Sequence, residues 1–173
     1  MKIMLAACNA KYIHSNLAVY DLKAYAQKYA SNVILKEYTI NQQKDDILRD
    51  IYLEQPDVVC VSCYIWNITF VKELMRDLAK ILPGVSFWAG GPEVSFDAPQ
   101  FLEENQEFTG VMVGEGEETF LELAGHYIEQ KPEELKEITG ICYRDAEGIH
   151  HNGWRHILDL SSIPFIYENL EDF

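Results

Sequence analysis

The sequence lacks a long apolar run and contains few basic residues. None of its apolar stretches approaches the roughly 18–20 residues that a membrane-spanning helix needs. Its 173 residues include 14 Lys and Arg against 28 Asp and Glu, a formal net charge of −14, whereas a protein that follows a phosphodiester backbone needs a basic surface. No apolar segment followed by a small-residue cleavage site opens the chain, so we expect no signal peptide. These absences predict a cytoplasmic protein that binds neither membranes nor nucleic acid.

Cysteines and nucleotide-binding glycine motifs are also scarce. Four cysteines in a chain of this length do not form a dense disulfide framework. Cys60 and Cys63 form a C-x-x-C pair, but we expect them to pack on opposite faces of a buried strand and not to bind a metal. No G-x-G-x-x-G follows the first apolar segment, and no G-x-x-x-x-G-K-[ST] occurs anywhere. NAD and ATP are therefore poor candidate ligands.

Apolar segments and helical patterns alternate along the chain, whose 48% hydrophobic and 24% charged residues are typical of one globular domain. The pattern predicts strands at residues 2–8, 33–40, 58–63, 85–89 and 110–113, and helices at 15–29, 44–54, 67–81, 98–105 and 117–130. Ser15 or Asn16 is expected to cap the first helix. Segments 138–143 and 148–151, on either side of an Asp-Ala-Glu-Gly turn, predict a small β-hairpin.

This alternation predicts an α/β protein with a doubly wound parallel sheet and helices on both faces. Five strands favour the flavodoxin-like, Rossmann-like order 2-1-3-4-5. We expect residues 1–135 to form this domain and residues 136–158 to add the C-terminal hairpin to it. Residues 159–173 contain proline without a clear period, which predicts a linker towards a further domain.

Ligands of such sheets bind at the carboxyl ends of the strands, where the loops 9–16, 62–67, 90–96 and 114–119 are expected to meet. Two of these loops contain closely spaced glycines, in Gly90-Gly91 and in Gly114-Glu115-Gly116. Such glycines either let a bulky ligand approach the backbone or form tight turns between strand and helix.

The charges of these loops disfavour a ligand with several phosphates. Lys11 is the only cation among them, whereas Glu93, Glu115 and two further glutamates are acidic. Other doubly wound classes fail on single residues. A phosphoacceptor receiver domain needs an aspartate at the end of the third strand, where this chain has Ser62-Cys63-Tyr64, and the G-x-S-x-G of acyl-transfer enzymes is absent.

Two groups of histidines outside the predicted helices have different interpretations. His14 follows the first predicted strand, where it is either a metal ligand or a helix-capping or solvent-facing side chain. His150, His151 and His156 belong to the predicted hairpin and its continuation, where we expect them to be exposed.

Taken together, the loops resemble the amino-terminal cobalamin-binding domain of radical S-adenosylmethionine enzymes. The nearest subgroup is the anaerobic magnesium-protoporphyrin IX monomethyl ester oxidative cyclase and its relatives. The resemblance covers nearly the whole chain, through Asn9-Ala10-Lys11-Tyr12-Ile13-His14-Ser15, Val61-Ser62-Cys63-Tyr64, Ala89-Gly90-Gly91-Pro92-Glu93, Val113-Gly114-Glu115-Gly116-Glu117-Glu118-Thr119-Phe120, Thr139-Gly140-Ile141-Cys142-Tyr143-Arg144 and Leu160-Ser161-Ser162-Ile163-Pro164-Phe165.

The resemblance implies a bound cobalamin whose nucleotide tail lies between the sheet and the helices. The implied cofactor-binding residues are His14, Ser62, Cys63, Tyr64, Gly90, Gly91, Pro92, Glu93, Gly114, Glu115 and Gly116. His14 is also the implied cobalt ligand. The usual D-x-H-x-x-G motif would place aspartate at 12 and glycine at 17, where this chain has Tyr12 and Leu17. The corrinoid is then either bound without a histidine ligand, or no longer bound.

The same resemblance implies a parent enzyme with a radical S-adenosylmethionine domain downstream in cis. The cluster-binding C-x-x-x-C-x-x-C is absent from these residues, so the 4Fe-4S cluster and S-adenosylmethionine are expected there and not here. The parent would act on a small-molecule substrate by methyl transfer or oxidative cyclisation. Two other interpretations stay open: a cofactor-free scaffolding domain that packs on the radical barrel, and a small-molecule enzyme that uses His14 with Glu93 or Glu115 as acid and base.

Overall fold

A computed structural model of the chain describes residues 1–11, 15–130 and 135–164. These residues contain seven strands: β1 (Ile3–Asn9), β2 (Val33–Thr39), β3 (Val58–Ser62), β4 (Ser86–Gly90), β5 (Gly110–Met112), β6 (Ile141–Arg144) and β7 (Ile149–His151). They also contain six α-helices: α1 (Leu17–Tyr25), α2 (Lys44–Glu54), α3 (Ile68–Ile81), α4 (Pro92–Ser95), α5 (Ala98–Glu104) and α6 (Glu117–Glu129). Within this part of the chain, no helix is long and apolar enough to cross a membrane.

The strands form one sheet in the order β2-β1-β3-β4-β5-β6-β7. Strands β1 to β5 are parallel, which confirms the predicted α/β class and the order 2-1-3-4-5. The predicted count of five is corrected to seven, because the C-terminal hairpin joins the same sheet through antiparallel pairs such as Val111 with Cys142. The hairpin thereby covers an edge of β5 that would otherwise expose unpaired backbone groups.

The core lies in two layers, one on each face of the sheet. Every residue of β3 is buried, as expected for a central parallel strand. Val59 and Val61 pack with α2, α3 and α5, whereas Val58 and Cys60 pack with α1 and α6. Cys63 belongs to the first layer and Cys60 to the second, which confirms that the two thiols lie on opposite sides of the sheet.

Trp88 fills the layer between β4 and α6. It is completely buried, and its indole Nε1 donates a hydrogen bond of 2.9 Å to the Tyr127 hydroxyl. The neighbouring position on β5 is Gly110, where a Cβ atom would overlap the Trp88 ring. Glycine is therefore required at Gly110 because the ring occupies the space of its missing side chain.

The first helix is shorter than predicted. Helix α1 ends at Tyr25 and is followed by a 3-10 turn, Gln27–Tyr29. Asn16 stands at its N-cap position, but the side chain makes no capping hydrogen bond, which corrects the predicted cap. The Asn16 side chain instead points across the sheet edge to β3, as described below.

An ion-paired aspartate joins two helices on the surface. Asp77 of α3 accepts hydrogen bonds from Lys44 of α2 at 2.7 Å and from Lys80 at 2.8 Å. These two ammonium groups lower the pKa of Asp77 to about 2.

Candidate functional site

A cavity of about 420 Å³ opens at the carboxyl ends of the parallel strands. It lies between the sheet and helices α1 and α6, next to the boundary between β1 and β3, where the strand order reverses. Doubly wound sheets bind their ligands at this switch point. The lining is mostly apolar and extends from Leu5 and Cys60 inside the sheet to the loops after β3, β4 and β5.

Ser62 provides a hydroxyl group at the end of β3. The Asn16 side-chain amide donates a hydrogen bond of 2.9 Å to Ser62 Oγ. Asn16 is itself held by Glu37, whose carboxylate accepts a 2.7 Å bond from the Asn16 backbone N–H and a 2.8 Å bond from the Tyr20 hydroxyl. Because Ser62 Oγ accepts the amide bond through a lone pair, its hydroxyl proton can be donated to a group in the cavity.

The loop after β3 is held by the buried side chain of Asn67. Its amide nitrogen donates to the backbone carbonyls of Cys8 and Ser62, both at 3.0 Å. Its carbonyl oxygen accepts a 2.8 Å bond from the Tyr64 backbone N–H. One side chain therefore joins the ends of β1 and β3 and sets the position of Tyr64, whose ring stacks on Trp66 at 4.5 Å between ring centroids.

Gly90 and Gly91 are neighbours at the end of β4, but the structure requires glycine at only one of the two positions. Gly91 has a φ of +107°, and a Cβ atom there would lie 2.5 Å from the Cys63 carbonyl oxygen, so the turn itself requires glycine. The atoms nearest to a Cβ atom at Gly90 would all belong to Met112, at ordinary contact distances of 3.5 Å or more. Gly90 is therefore not required by the backbone, and its missing side chain leaves room inside the cavity.

Most of the residues predicted from the loops meet at this cavity. Its lining includes Ser62, Tyr64, Gly90, Gly91, Pro92, Gly114, Glu115 and Gly116. Two candidates lie elsewhere. The Cys63 thiol is buried in the opposite layer, and this burial raises its pKa to about 12; Glu93 is exposed and lies outside the lining. His14 lies outside the described residues.

The acidic side chains at the rim have partners that the loops alone did not indicate. Glu115 accepts a 2.7 Å hydrogen bond from the backbone N–H of Leu158. Arg155 forms ion pairs with Glu118, at 3.1 Å, and with Glu122. Lys11 is the only cation within the four loops, and Arg155 brings a further cation to this edge from beyond the hairpin.

Sequence reasoning also missed Asn16, Phe96 and Trp154. Trp154 lines the cavity, and its ring packs against Phe96 with 5.6 Å between ring centroids. Asn16 bonds to Ser62 from 46 residues away along the chain. Asn16 and Phe96 lie in loops that were expected at this edge, but no local pattern marked any of the three as a site residue, because their contacts depend on how distant segments meet.

Comparisons with known proteins agree with this geometry. The family described as B12 binding domain matches residues 3–124. The chain is 32% identical over 79 residues to the cobalamin-dependent radical SAM methyltransferase TokK of Streptomyces tokunonensis, covering 46% of this chain and 12% of that protein. It is 24% identical over 116 residues to the anaerobic magnesium-protoporphyrin IX monomethyl ester cyclase of Cereibacter sphaeroides, covering 66% and 18%.

The fold is also similar to a solved structure. The cobalamin-dependent S-adenosylmethionine radical enzyme OxsB, with aqua-cobalamin and S-adenosylmethionine bound, matches with a TM-score of 0.75 and 21% identity, over 94% of this chain and 23% of that one. The chain thus matches less than a quarter of the length of each of these proteins. The resemblance to the cobalamin-binding domain of radical S-adenosylmethionine enzymes is confirmed, and the chain belongs to the B12-binding domain family.

Proposed function

We propose that this chain binds cobalamin and that the cavity at the ends of β3, β4 and β5 receives the nucleotide tail of the cofactor. The observation that carries the proposal is the meeting of Ser62, Gly90 and Gly114 around one apolar cavity at the switch point of the sheet. Its volume of about 420 Å³ falls within the range of small-molecule sites.

The donor groups of the cavity suit such a tail. An apolar lining suits a flat heterocycle, and the Ser62 hydroxyl can donate a hydrogen bond to a ring nitrogen. The tail carries a single phosphate, so its repulsion by the acidic rim is smaller than that of a polyphosphate. Part of that rim is also compensated, because Glu118 is paired with Arg155 and Glu115 accepts a backbone N–H.

The corrin ring is fringed with neutral amides, which bind backbone donors and acceptors without cationic side chains. The glycine-containing loops at Gly91, Gly114 and Gly116 would supply such backbone groups. Ser62, Tyr64 and Pro92 would complete the binding set, and Cys63 and Glu93 would act only by positioning the loops around them. Once bound, cobalamin supplies methyl-transfer or one-electron chemistry at its cobalt.

The test is a titration of the domain with hydroxocobalamin, followed by visible absorption and calorimetry. Cobinamide, a corrinoid without the nucleotide tail, is the matched control ligand. We expect saturable binding of hydroxocobalamin and much weaker binding of cobinamide. No saturation at high micromolar cobalamin would refute the proposal, and equal affinity for the two ligands would refute the placement of the tail.

The His14→Ala variant separates the two modes of binding that the altered first loop leaves open. If His14 ligates cobalt, the variant loses the spectral shift of bound cofactor. If the cavity alone holds the cofactor, binding and spectrum persist in the variant. Tyr12 and Leu17 at the motif positions of aspartate and glycine favour the second result.

We further propose that this domain, residues 1–135 with the hairpin at 136–158, works in cis with a radical S-adenosylmethionine domain reached through a linker at 159–173. The support is the radical SAM methyltransferase TokK and the cyclase among the relatives, each of which is far longer than this chain. The parent would then hold a 4Fe-4S cluster and S-adenosylmethionine, and act on a small molecule by methyl transfer or oxidative cyclisation. A C-x-x-x-C-x-x-C downstream in the same reading frame is expected, and its absence would refute this arrangement.

A scaffolding role is the second candidate. Ile65 is 78% exposed and Phe96 is 76% exposed, both at the same edge of the sheet. A contiguous apolar patch at this edge would be an interaction surface. A domain that docks on the radical barrel but fails to bind hydroxocobalamin would favour this role.

A further inference from the structure

The segment at residues 152–158, called here the C-terminal strap, runs along the loop after β5 at the edge of the cavity. It follows β7 and brings Trp154 into the cavity lining. The match to the B12-binding family ends at residue 124, so this part of the lining comes from outside the matched region. The contacts that hold Trp154 in place are made by the neighbouring residues of the strap.

The start of the strap is held by Asn152. Its side-chain amide donates hydrogen bonds to the carbonyls of Leu135, at 2.7 Å, and Ile138, at 2.8 Å. Its backbone N–H donates to the Ile141 carbonyl at 2.9 Å. Gly153 follows with a φ of +83°, a conformation that redirects the chain from β7 towards α6.

The middle of the strap is held by Arg155. Its guanidinium donates to Thr119 at 3.2 Å and to the Thr139 carbonyl at 2.8 Å, in addition to its ion pairs with Glu118 and Glu122. Only 15% of this side chain is exposed. A guanidinium with so many hydrogen-bonding partners has one favoured geometry, so Arg155 fixes the position of the adjacent residue.

Trp154 lies between Asn152 and Arg155, whose positions are fixed by these hydrogen bonds. Further along the strap, the Leu158 backbone N–H donates a hydrogen bond to the Glu115 carboxylate. A Cβ atom at Gly114 would lie 3.3 Å from the indole, so the ring rests directly on that loop. The indole also packs against Phe96 and remains 52% exposed. A large aromatic ring held in place at a cavity while half exposed is available to bury apolar surface against a ligand.

We propose that the C-terminal strap belongs to the cofactor site and that Trp154 forms its outer wall, so that the strap slows release of the bound corrinoid. This inference rests on the proposed function. Trp154 would contact the cofactor, and Arg155 would be a positioning residue that acts through Trp154. The reason is exclusion of water: a corrinoid that leaves the cavity must first expose the apolar surface that it shares with the indole.

The experiment measures the dissociation rate of hydroxocobalamin from the whole chain, by displacement into an excess of a competing cobalamin-binding protein. Trp154→Ala is expected to speed release by about 10- to 30-fold, less than the loss of a fully buried central aromatic side chain in an interface, because the indole is half exposed. Trp154→Phe keeps an aromatic wall and should lie near the wild type. Ile157→Ala is the matched control, because Ile157 belongs to the same strap, is 87% exposed and does not line the cavity.

Arg155→Gln tests the positioning role. The single substitution Arg155→Gln should also increase the release rate. Combined with Trp154→Ala it should have little further effect, because the indole that Arg155 positions is already absent. If the double variant releases the cofactor faster by the product of the two single-variant factors, Arg155 does not act through Trp154. Wild-type release rates in Trp154→Ala, with wild-type binding intact, would refute the wall and leave the proposed function standing. If the wild-type chain fails to bind hydroxocobalamin, the proposed function and the wall are both refuted.

Discussion

Replacing Gly90 by alanine adds one methyl group at the end of β4, on the face of the sheet that lines the cavity. Gly90 pairs with Ser62 on one side and with Met112 on the other, and its φ is not positive. The nearest neighbours of the new methyl would be atoms of Met112, at 3.5 Å or more. The folded protein therefore accepts alanine at this position, while the space open to a ligand becomes smaller.

Gly90→Ala should stabilise the cofactor-free domain and weaken the binding of hydroxocobalamin. Alanine restricts the unfolded chain more than glycine does, so the free energy of unfolding of the cofactor-free domain should rise by about 0.4–1 kcal/mol. In a domain of this size the melting temperature should then rise by roughly 1–4 °C. One additional carbon in a close-fitting pocket changes binding by about 10- to 200-fold, so the Kd for hydroxocobalamin should increase by that factor.

Thermal unfolding without ligand and calorimetric titration with hydroxocobalamin measure both quantities on the same preparation. Gly84→Ala is the matched control, because Gly84 lies in the turn before β4, has a φ of +97° and has no atom within 4 Å of its added Cβ. It should lower the melting temperature through backbone strain and leave the Kd unchanged. Unaltered affinity in Gly90→Ala would show that no ligand group lies beside Gly90, and a lower melting temperature would show that the space is not open.

Further predictions concern other parts of the structure. Burial raises the pKa of Cys60 and Cys63 to about 12, so neither thiol should react with Ellman's reagent at pH 8 until urea unfolds the chain; rapid labelling of the native protein would contradict this. The Lys44 and Lys80 ammonium groups lower the pKa of Asp77 to about 2. Its contribution to stability should therefore be complete above its unfolded pKa of about 4 and should disappear as the pH falls towards 2; Asp77→Asn should remove this part of the acid dependence in urea titrations at pH 2–5. Asn67→Asp replaces the donor to two backbone carbonyls by a buried carboxylate, and should lower the free energy of unfolding in urea by about 3 kcal/mol; a change below about 1 kcal/mol would mean that Asn67 does not hold the loop.

The architecture was predictable wherever local pattern and tertiary structure agree. The apolar segment at residues 58–63 indicated a strand buried on both faces, and β3 (Val58–Ser62) lies at the centre of the parallel sheet. The C-terminal hairpin was also predicted, but its place in the main sheet was not. Pairing of β6 with β5 depends on contacts between residues some 30 positions apart, such as Val111 and Cys142, which no local period encodes.

The candidate site divides in the same way. The closely spaced glycines indicated loops where a backbone is approached closely, and Gly90, Gly91, Gly114 and Gly116 do line one cavity. The sequence did not show why each position is glycine. At Gly91 a side chain would clash with the Cys63 carbonyl oxygen of another loop, whereas at Gly90 no such clash occurs.

The sequence by itself determined the fold class, the parallel strand order, the burial of the thiols and the edge of the sheet at which the cavity lies, because hydrophobic period, β-branched content and glycine placement act over a few residues. Only the tertiary structure decided which side chains form the walls of the cavity. Asn16 contacts Ser62, and Trp154 contacts Gly114, across segments that are distant along the chain. The physical reason is that a wall is made by chain segments distant in sequence, and their meeting is selected by packing of the whole core and not by any local propensity.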